Sequence, residues 1–207
     1  MRKVILPFIG LGAVLSFAGA SPVLAQSLQS AARVLDAGQA HSIQFSGTGQ
    51  WFQFGQAPAP TLAWPRFDVS RYVADINYDT ASARVQITRS QTIEPGRVRP
   101  APVEQRVDQY VSGAFAWNLP TAAPAQGGAV VPAPQPAAVA ERVAEIWSTP
   151  QGFVKAAQAH KAKTVSRGRG SSEVSFSLEG GYRFVGTLNA ANQVEQVRTW
   201  IDNPVLG

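Results

Sequence analysis

The sequence predicts an α+β fold: a curved antiparallel β-sheet, shaped as a half-barrel, packed on a helical hairpin. Three observations carry this. Apolar residues alternate with a period of two in both the first and the last third of the chain. Between them, residues 138–160 switch to helical spacing. The strand-like runs are joined by short Gly, Asp and Asn turns, which suit antiparallel neighbours.

Residues 1–25 read as a secretory signal peptide, outside the fold. Arg2 and Lys3 form the positive start, residues 4–20 are apolar or small, and Val23 and Ala25 stand where a signal peptidase inspects the chain. The apolar run is short for a membrane span and is broken by Pro7 and several glycines. Cleavage after Ala25 leaves 182 of the 207 residues, and loss of Arg2 and Lys3 lowers the net charge from +5 to +3. That length suits one domain, residues 26–207, with a core of its own. The chain has no cysteine, so neither disulfides nor a lipidated cysteine enter the reading. The expectation is a periplasmic or secreted protein without a transmembrane segment after cleavage. With 15% charged residues, it lacks the electrostatic footprint of a nucleic-acid binder.

Ser27 can cap a short helix on which Leu28, Ala31, Ala32 and Leu35 share a face, closed by Gly38. The run from Ser42 to Ser46 then alternates, and Trp51–Phe54 continues the strand-rich composition. Gly47-Thr48-Gly49 between them reads as a hairpin turn or a bulge. After a proline-broken connection, residues 66–76 and 83–92 form an antiparallel pair with the turn at 79–82. Val85 and Ile87 alternate with Arg84, Gln86 and Thr88, which leaves one face wet. A second proline-containing loop precedes a longer strand with Val107, Val111 and Phe115, reaching Trp117.

Residues 118–137 are rich in Pro, Ala and Gly and uncharged, an extended loop. Ala140, Val143, Ala144 and Trp147 then line one helix face, with Glu141, Arg142 and Glu145 opposite. Thr149 and Pro150 suit the cap and first position of a second helix, carrying Phe153, Val154 and Ala157 and ending near His160. The last third reads as a three-stranded meander. Val174, Phe176 and Leu178 are followed by a Gly180-Gly181 turn, a return strand with Tyr182, Phe184 and Leu188, and a third strand over 193–202.

No motif names a chemistry. His41 and His160 are the only histidines and do not form a ligand-spaced pair, whereas zinc catalysis needs three or more ligands in fixed geometry. A Gly-x-Ser-x-Gly elbow is absent. Asp68, Asp75, Asp79 and Asp108 fall on strand and turn positions, and a carboxylate pair would require two of them to converge. Gly47-Thr48-Gly49 lacks the third glycine and following helix of a dinucleotide fingerprint. The RGRG stretch at 167–170, with Lys155, Lys161 and Lys163, forms a basic segment that reads as a solvated helix end and turn, or as attraction to an anionic surface. No catalytic, metal-ligating or cofactor-binding residue is therefore assigned, and no cofactor is expected in this chain. Aromatic residues stand on nearly every strand. Should the sheet curl without closing, Trp51, Phe54, Phe67, Phe115, Phe176, Phe184 and Trp200 are the candidates to line an apolar cavity.

The stretches IQFSGTGQWFQFGQ, WPRFDVSRYVADINYD, ARVQITRSQ, WSTPQGFVKAA and VRTWIDNPVLG resemble the N-terminal, non-catalytic region of exported metallo-β-lactamase-fold hydrolases, over residues 28–207. In that family a zinc domain follows, built on a His-x-His-x-Asp-His cluster that this sequence lacks. The resemblance therefore implies an accessory domain, as a truncated or split chain whose partner is a downstream zinc-hydrolase domain. It also implies that Val205-Leu206-Gly207 opens a further segment. The order of elements is similar to that of periplasmic lipoprotein carriers. That similarity frames the alternative: a stand-alone carrier with an apolar ligand in its half-barrel.

Overall fold

The computed structural model describes residues 22–53, 55–57, 59–93, 103–121 and 129–202. Most of the signal-peptide reading, Phe54, part of the Pro/Ala/Gly loop and the closing 203–207 lie outside them.

Helix α1 (Pro22–Val34) leads into six strands: β1 (Ser42–Phe52), β2 (Arg66–Asn77), β3 (Ser82–Gln91), β4 (Glu104–Ser112), β5 (Phe115–Leu119) and the two-residue β6 (Ala133–Pro134). They form one antiparallel sheet in sequence order. Helices α2 (Val139–Ser148) and α3 (Pro150–Ala159) follow, then β7 (Lys163–Gly168), β8 (Ser171–Leu178), β9 (Tyr182–Leu188) and β10 (Val194–Trp200). These last four form a second antiparallel sheet. The α+β class with antiparallel sheets and a helical hairpin holds, but the strands divide into sheets of six and four. The division falls where the hairpin interrupts the strands, because each helix seals a different sheet. Among the described residues no helix is long and apolar enough to cross a membrane. The cleavage point expected after Ala25 falls within the first turn of α1.

Two cores result. In one, Ala31 of α1 and Phe153, Val154 and Ala157 of α3 pack on Val174, Phe176, Phe184 and Leu188 of the four-stranded sheet. In the other, Ile146 of α2 packs with Ile76, Tyr78, Val111 and Ala116 on the six-stranded sheet. Trp147 touches both. The corner between the helices is tightly specified. Thr149 caps α3, accepting a hydrogen bond from the Gly152 amide at 3.2 Å, and its hydroxyl lies 2.8 Å from that of Tyr78. A side chain at Gly152 would collide with the Ile146 carbonyl.

Arg142, nearly buried, fastens α2 to the sheet without a carboxylate. Its Nη1 donates to the carbonyls of Tyr110 and Trp117 at 2.8 and 2.9 Å, and its Nη2 to Asn118 Oδ1 at 2.8 Å. On the other side, Lys155 Nζ donates to the Ala37 carbonyl at 2.9 Å and so ties α3 to the turn after α1.

Several local readings gain detail. Gly47–Gly49 forms no turn: β1 runs through it, and the register shift there reflects an extra residue at Ser70 of β2. The strand expected to reach Trp117 is two, β4 and β5, turned at Gly113 with φ of 53°. Strand β7, absent from the pattern reading, pairs with β8 along the RGRG approach. Gly180 and Gly181 both take positive φ, as a two-residue hairpin of this kind demands.

Gly186 on β9 faces the Phe153 ring so closely that an added methyl would fall among its atoms, whereas at Gly38 nothing lies within 4 Å. Gly186→Ala is expected to destabilise the protein by about 1–3 kcal/mol through overpacking, and Gly38→Ala by under about 0.5 kcal/mol, as read from denaturant midpoints. Equal effects at the two sites would remove this account of the second core.

Candidate functional site: an uncovered sheet face

The register places residues of the six-stranded sheet in cross-strand rows on the face toward α2. From one end they run Ile43–Ile76–Ala83–Val111–Ala116, Phe45–Ala74–Val85–Gln109, Gly47–Tyr72–Ile87–Val107, Gly49–Val69–Arg89–Gln105 and Trp51–Phe67–Gln91. The bulge at Ser70 keeps Phe67 and Val69 on this face together with Tyr72, Ala74 and Ile76. Helix α2 covers the first of these rows through Ile146 and its neighbours.

Beyond Phe45 and Tyr72 no helix among the described residues covers the face. A predominantly apolar hollow of about 520 Å³ lies over Phe45, Gly47, Gly49, Trp51, Val69, Tyr72 and Ile87. Its volume falls in the range of ligand pockets. Two glycines help create it: Gly47 and Gly49 present no side chain, and a Cβ at either would meet nothing within 4 Å. Phe45 and Tyr72 stack at its lower margin with ring centroids 5.9 Å apart.

The margins carry polar groups. At the α2 side a narrow crevice brings Glu145 together with Phe45, Tyr72 and Ile146. Burial in these surroundings pushes the Glu145 carboxyl up to about 7, with the nearby Glu141 charge adding to the rise and Arg142 opposing it. The residue as a whole is nonetheless exposed to solvent, so screening by water limits the shift. Burial likewise raises the Tyr72 phenol, with the Glu145 charge as the lesser cause. At the opposite end Arg89 lies over Trp51, with its guanidinium carbon 3.6 Å from the ring centroid, and over Phe67 at 4.6 Å. Burial lowers its proton affinity.

Of the cavity candidates named from sequence, Trp51 lines the hollow and Phe67, buried under Arg89, borders it. The others lie elsewhere. Phe176 and Phe184 stack at 5.0 Å inside the four-stranded core. Phe115 sits at the β4–β5 turn, 74% exposed. Trp200 lies on the far face of the second sheet, stacked on Arg183 at 3.9 Å. Phe54 is outside the described residues. Sequence reading missed Phe45, Tyr72 and Arg89, although alternation puts Arg89 in phase with Val85 and Ile87.

The four aspartates do not converge; each has its own partner. Asp68 accepts from Thr92 at 2.9 Å, Asp75 from Gln44, Asp79 pairs with His41 at 2.8 Å, and Asp108 receives a bidentate pair from Arg84 at 2.9 and 2.8 Å. Among the described residues, no three His, Cys, Asp or Glu side chains group as metal ligands would. The basic segment holds Arg167 against Glu173 at 2.6 Å.

Comparison with protein-family models, curated proteins and solved structures finds no match to this chain.

Glu145 supplies a pH test. Its folded-state value lies above its ordinary one of 4.5, so between there and about 7 the folded protein holds a proton that the unfolded chain releases. The associated stability is present at low pH and is lost as pH rises through that window. Glu145→Gln is expected to flatten the decline in thermal midpoint between these limits. An unchanged pH slope in the variant would show that the carboxyl is not perturbed by the crevice.

Proposed function

We propose that this chain is an exported, non-catalytic binding module whose uncovered sheet face takes an apolar ligand. The observation that carries this reading is the hollow beyond Tyr72: contiguous apolar surface on the inner face of a sheet, left open by α2 and floored by two glycines.

The resemblance to the N-terminal region of exported metallo-β-lactamase-fold hydrolases supports a second reading, in which this module serves a zinc-hydrolase domain as an accessory. The β1 stretch that carries part of that resemblance is also the edge of the hollow. On either reading the purified chain alone shows no zinc-dependent hydrolysis, and hydrolysis of a β-lactam or ester by it would overturn both.

The binding reading is tested by uptake of a neutral hydrophobic fluorophore. Gly47 and Gly49 avoid positive φ and have free space, so Gly47→Leu with Gly49→Leu fills the hollow without straining the strand. The protein is expected to enhance the dye's emission while its thermal transition stays cooperative, and the double variant to weaken uptake roughly tenfold or more. Equal uptake by the filled variant would place the apolar site elsewhere.

A further inference from the structure

The edge strand beside the hollow is unprotected. Four strands end the two sheets: β1 and β6 in one, β7 and β10 in the other. An edge strand pairs readily with another chain unless charge, proline, a bulge or shortness prevents it. Three of the four carry such devices. Strand β6 has two residues and ends on Pro134. Strand β7 carries Lys163 and Arg167, with Arg167 as an extra residue against β8. Strand β10 carries Glu195 and Arg198, with Glu195 as the extra residue against β9. Strand β1 has none of them: its 11 residues, SIQFSGTGQWF, hold no charge and no proline. The register shift beside Thr48 comes from the extra residue in β2, so β1 itself runs unbulged. All of β1 but Ile43 and Trp51 is exposed, and among the described residues no strand pairs with its free side.

The strand is also complementary to itself. Gly47 is its middle residue. A second β1 laid antiparallel about a two-fold axis at Gly47 overlaps it over its full length, and inner residues meet inner ones at every pair. On the inner face Phe45 then stands opposite Gly49 of the second copy, and Ile43 opposite Trp51. The first of these sets a large ring against a missing side chain, the arrangement by which an aromatic residue compensates an edge glycine. On the outer face Gln44 meets Gln50 and Ser46 meets Thr48, polar pairs that can exchange hydrogen bonds. No like charges meet, because the strand has none. A slip of one residue would set apolar side chains against polar ones. The antiparallel sense also brings the end covered by α2, at Ile43, beside the open end of the other copy, at Trp51.

We propose that β1 pairs antiparallel with β1 of a second copy of this chain, centred on Gly47. The two six-stranded sheets become one, and Phe45 of each copy adds a wall to the hollow of the other. This goes beyond the reading of the hollow as an apolar site and stands without it.

Sedimentation of the purified chain tests the pairing, and a dimer is expected at micromolar concentration. Gly47 has free space and no positive φ, so a charged side chain fits there. In Gly47→Lys or Gly47→Glu two like charges meet on the axis, and the dimer dissociation constant is expected to rise about tenfold or more. An equimolar mixture of the two variants is expected to regain affinity, because opposite charges then face each other. The chain has no cysteine, so Gly47→Cys supplies its sole thiol. Opposed residues of an antiparallel pair lie about 4.5–5.5 Å apart, within disulfide reach. Mild oxidation is expected to cross-link Gly47→Cys but not Ser42→Cys, which the register holds more than about 30 Å from its counterpart. A monomer at about 100 μM, a concentration that populates even weak specific dimers, would overturn the inference; if that monomer takes up the neutral dye, the apolar site still stands. Dimers indifferent to both charge variants would place the contact on another surface. Cross-linking at Ser42 as fast as at Gly47 would make the pairing parallel. Either result contradicts the inference. The sedimentation of the unaltered chain needs no variant, so misfolding of a variant cannot mask it.

Discussion

The organisation of this protein depends on a mismatch of lengths. Helix α2 has 10 residues and so runs about 15 Å. Strand β2 has 12 residues, about 40 Å. One such helix laid on such a sheet covers part of its inner face and leaves the rest. The covered part is a core, closed by Ile146 against Ile76 and Val111. The remainder is the hollow beyond Tyr72. Closing it would take a second helix, but the next helix, α3, is turned away by the Thr149–Pro150 corner and spends its apolar face on the other sheet.

That corner therefore has consequences in both directions. It commits Phe153 and Val154 to the four-stranded sheet, where Gly186 makes room for the Phe153 ring. It also holds α2 in place, through the contact of Thr149 with Tyr78 at the end of the β2–β3 pair. Arg142 acts at the far side of α2 by binding backbone carbonyls of β4 and β5. A helix fixed at both sides of the sheet cannot slide to cover the open rows. The open edge strand β1, 11 residues long, remains as one wall of the hollow.

Much of this architecture is legible in the residues. The period change at 138, the Thr149-Pro150 cap and the Gly180-Gly181 turn each have a local cause, and the helices and the last hairpin stand where those causes put them. The division into two sheets is not local. It follows from which face of each helix meets which strands, and no window of sequence contains that. The hollow was hidden for a more specific reason. The extra residue at Ser70 shifts the alternation of β2, so Phe67 and Tyr72, at odd and even positions, share a face. Two glycines that read as a turn or a bulge lie in strand β1, beside the bulge of its partner, and form the floor of the site. Aromatic content by itself pointed equally at Trp51 in the hollow and at Phe176 and Phe184 in the core, because both environments favour large apolar rings. Arg89 was readable by parity, yet a charged residue in a strand is ordinarily assigned to the wet face.

Polar groups stand near both ends of the hollow: Arg89 stacks on Trp51 at one, and Glu145 lies in the crevice beside Phe45 and Tyr72 at the other. The account stands on where a bound chain lies. Amide relaxation in the presence of an alkyl chain carrying a nitroxide at its tail would locate it residue by residue. The account predicts broadening centred on Gly47, Tyr72 and Ile87, with the Phe153–Phe184 core unaffected. Broadening centred on the four-stranded sheet, or spread evenly over the surface, would contradict it.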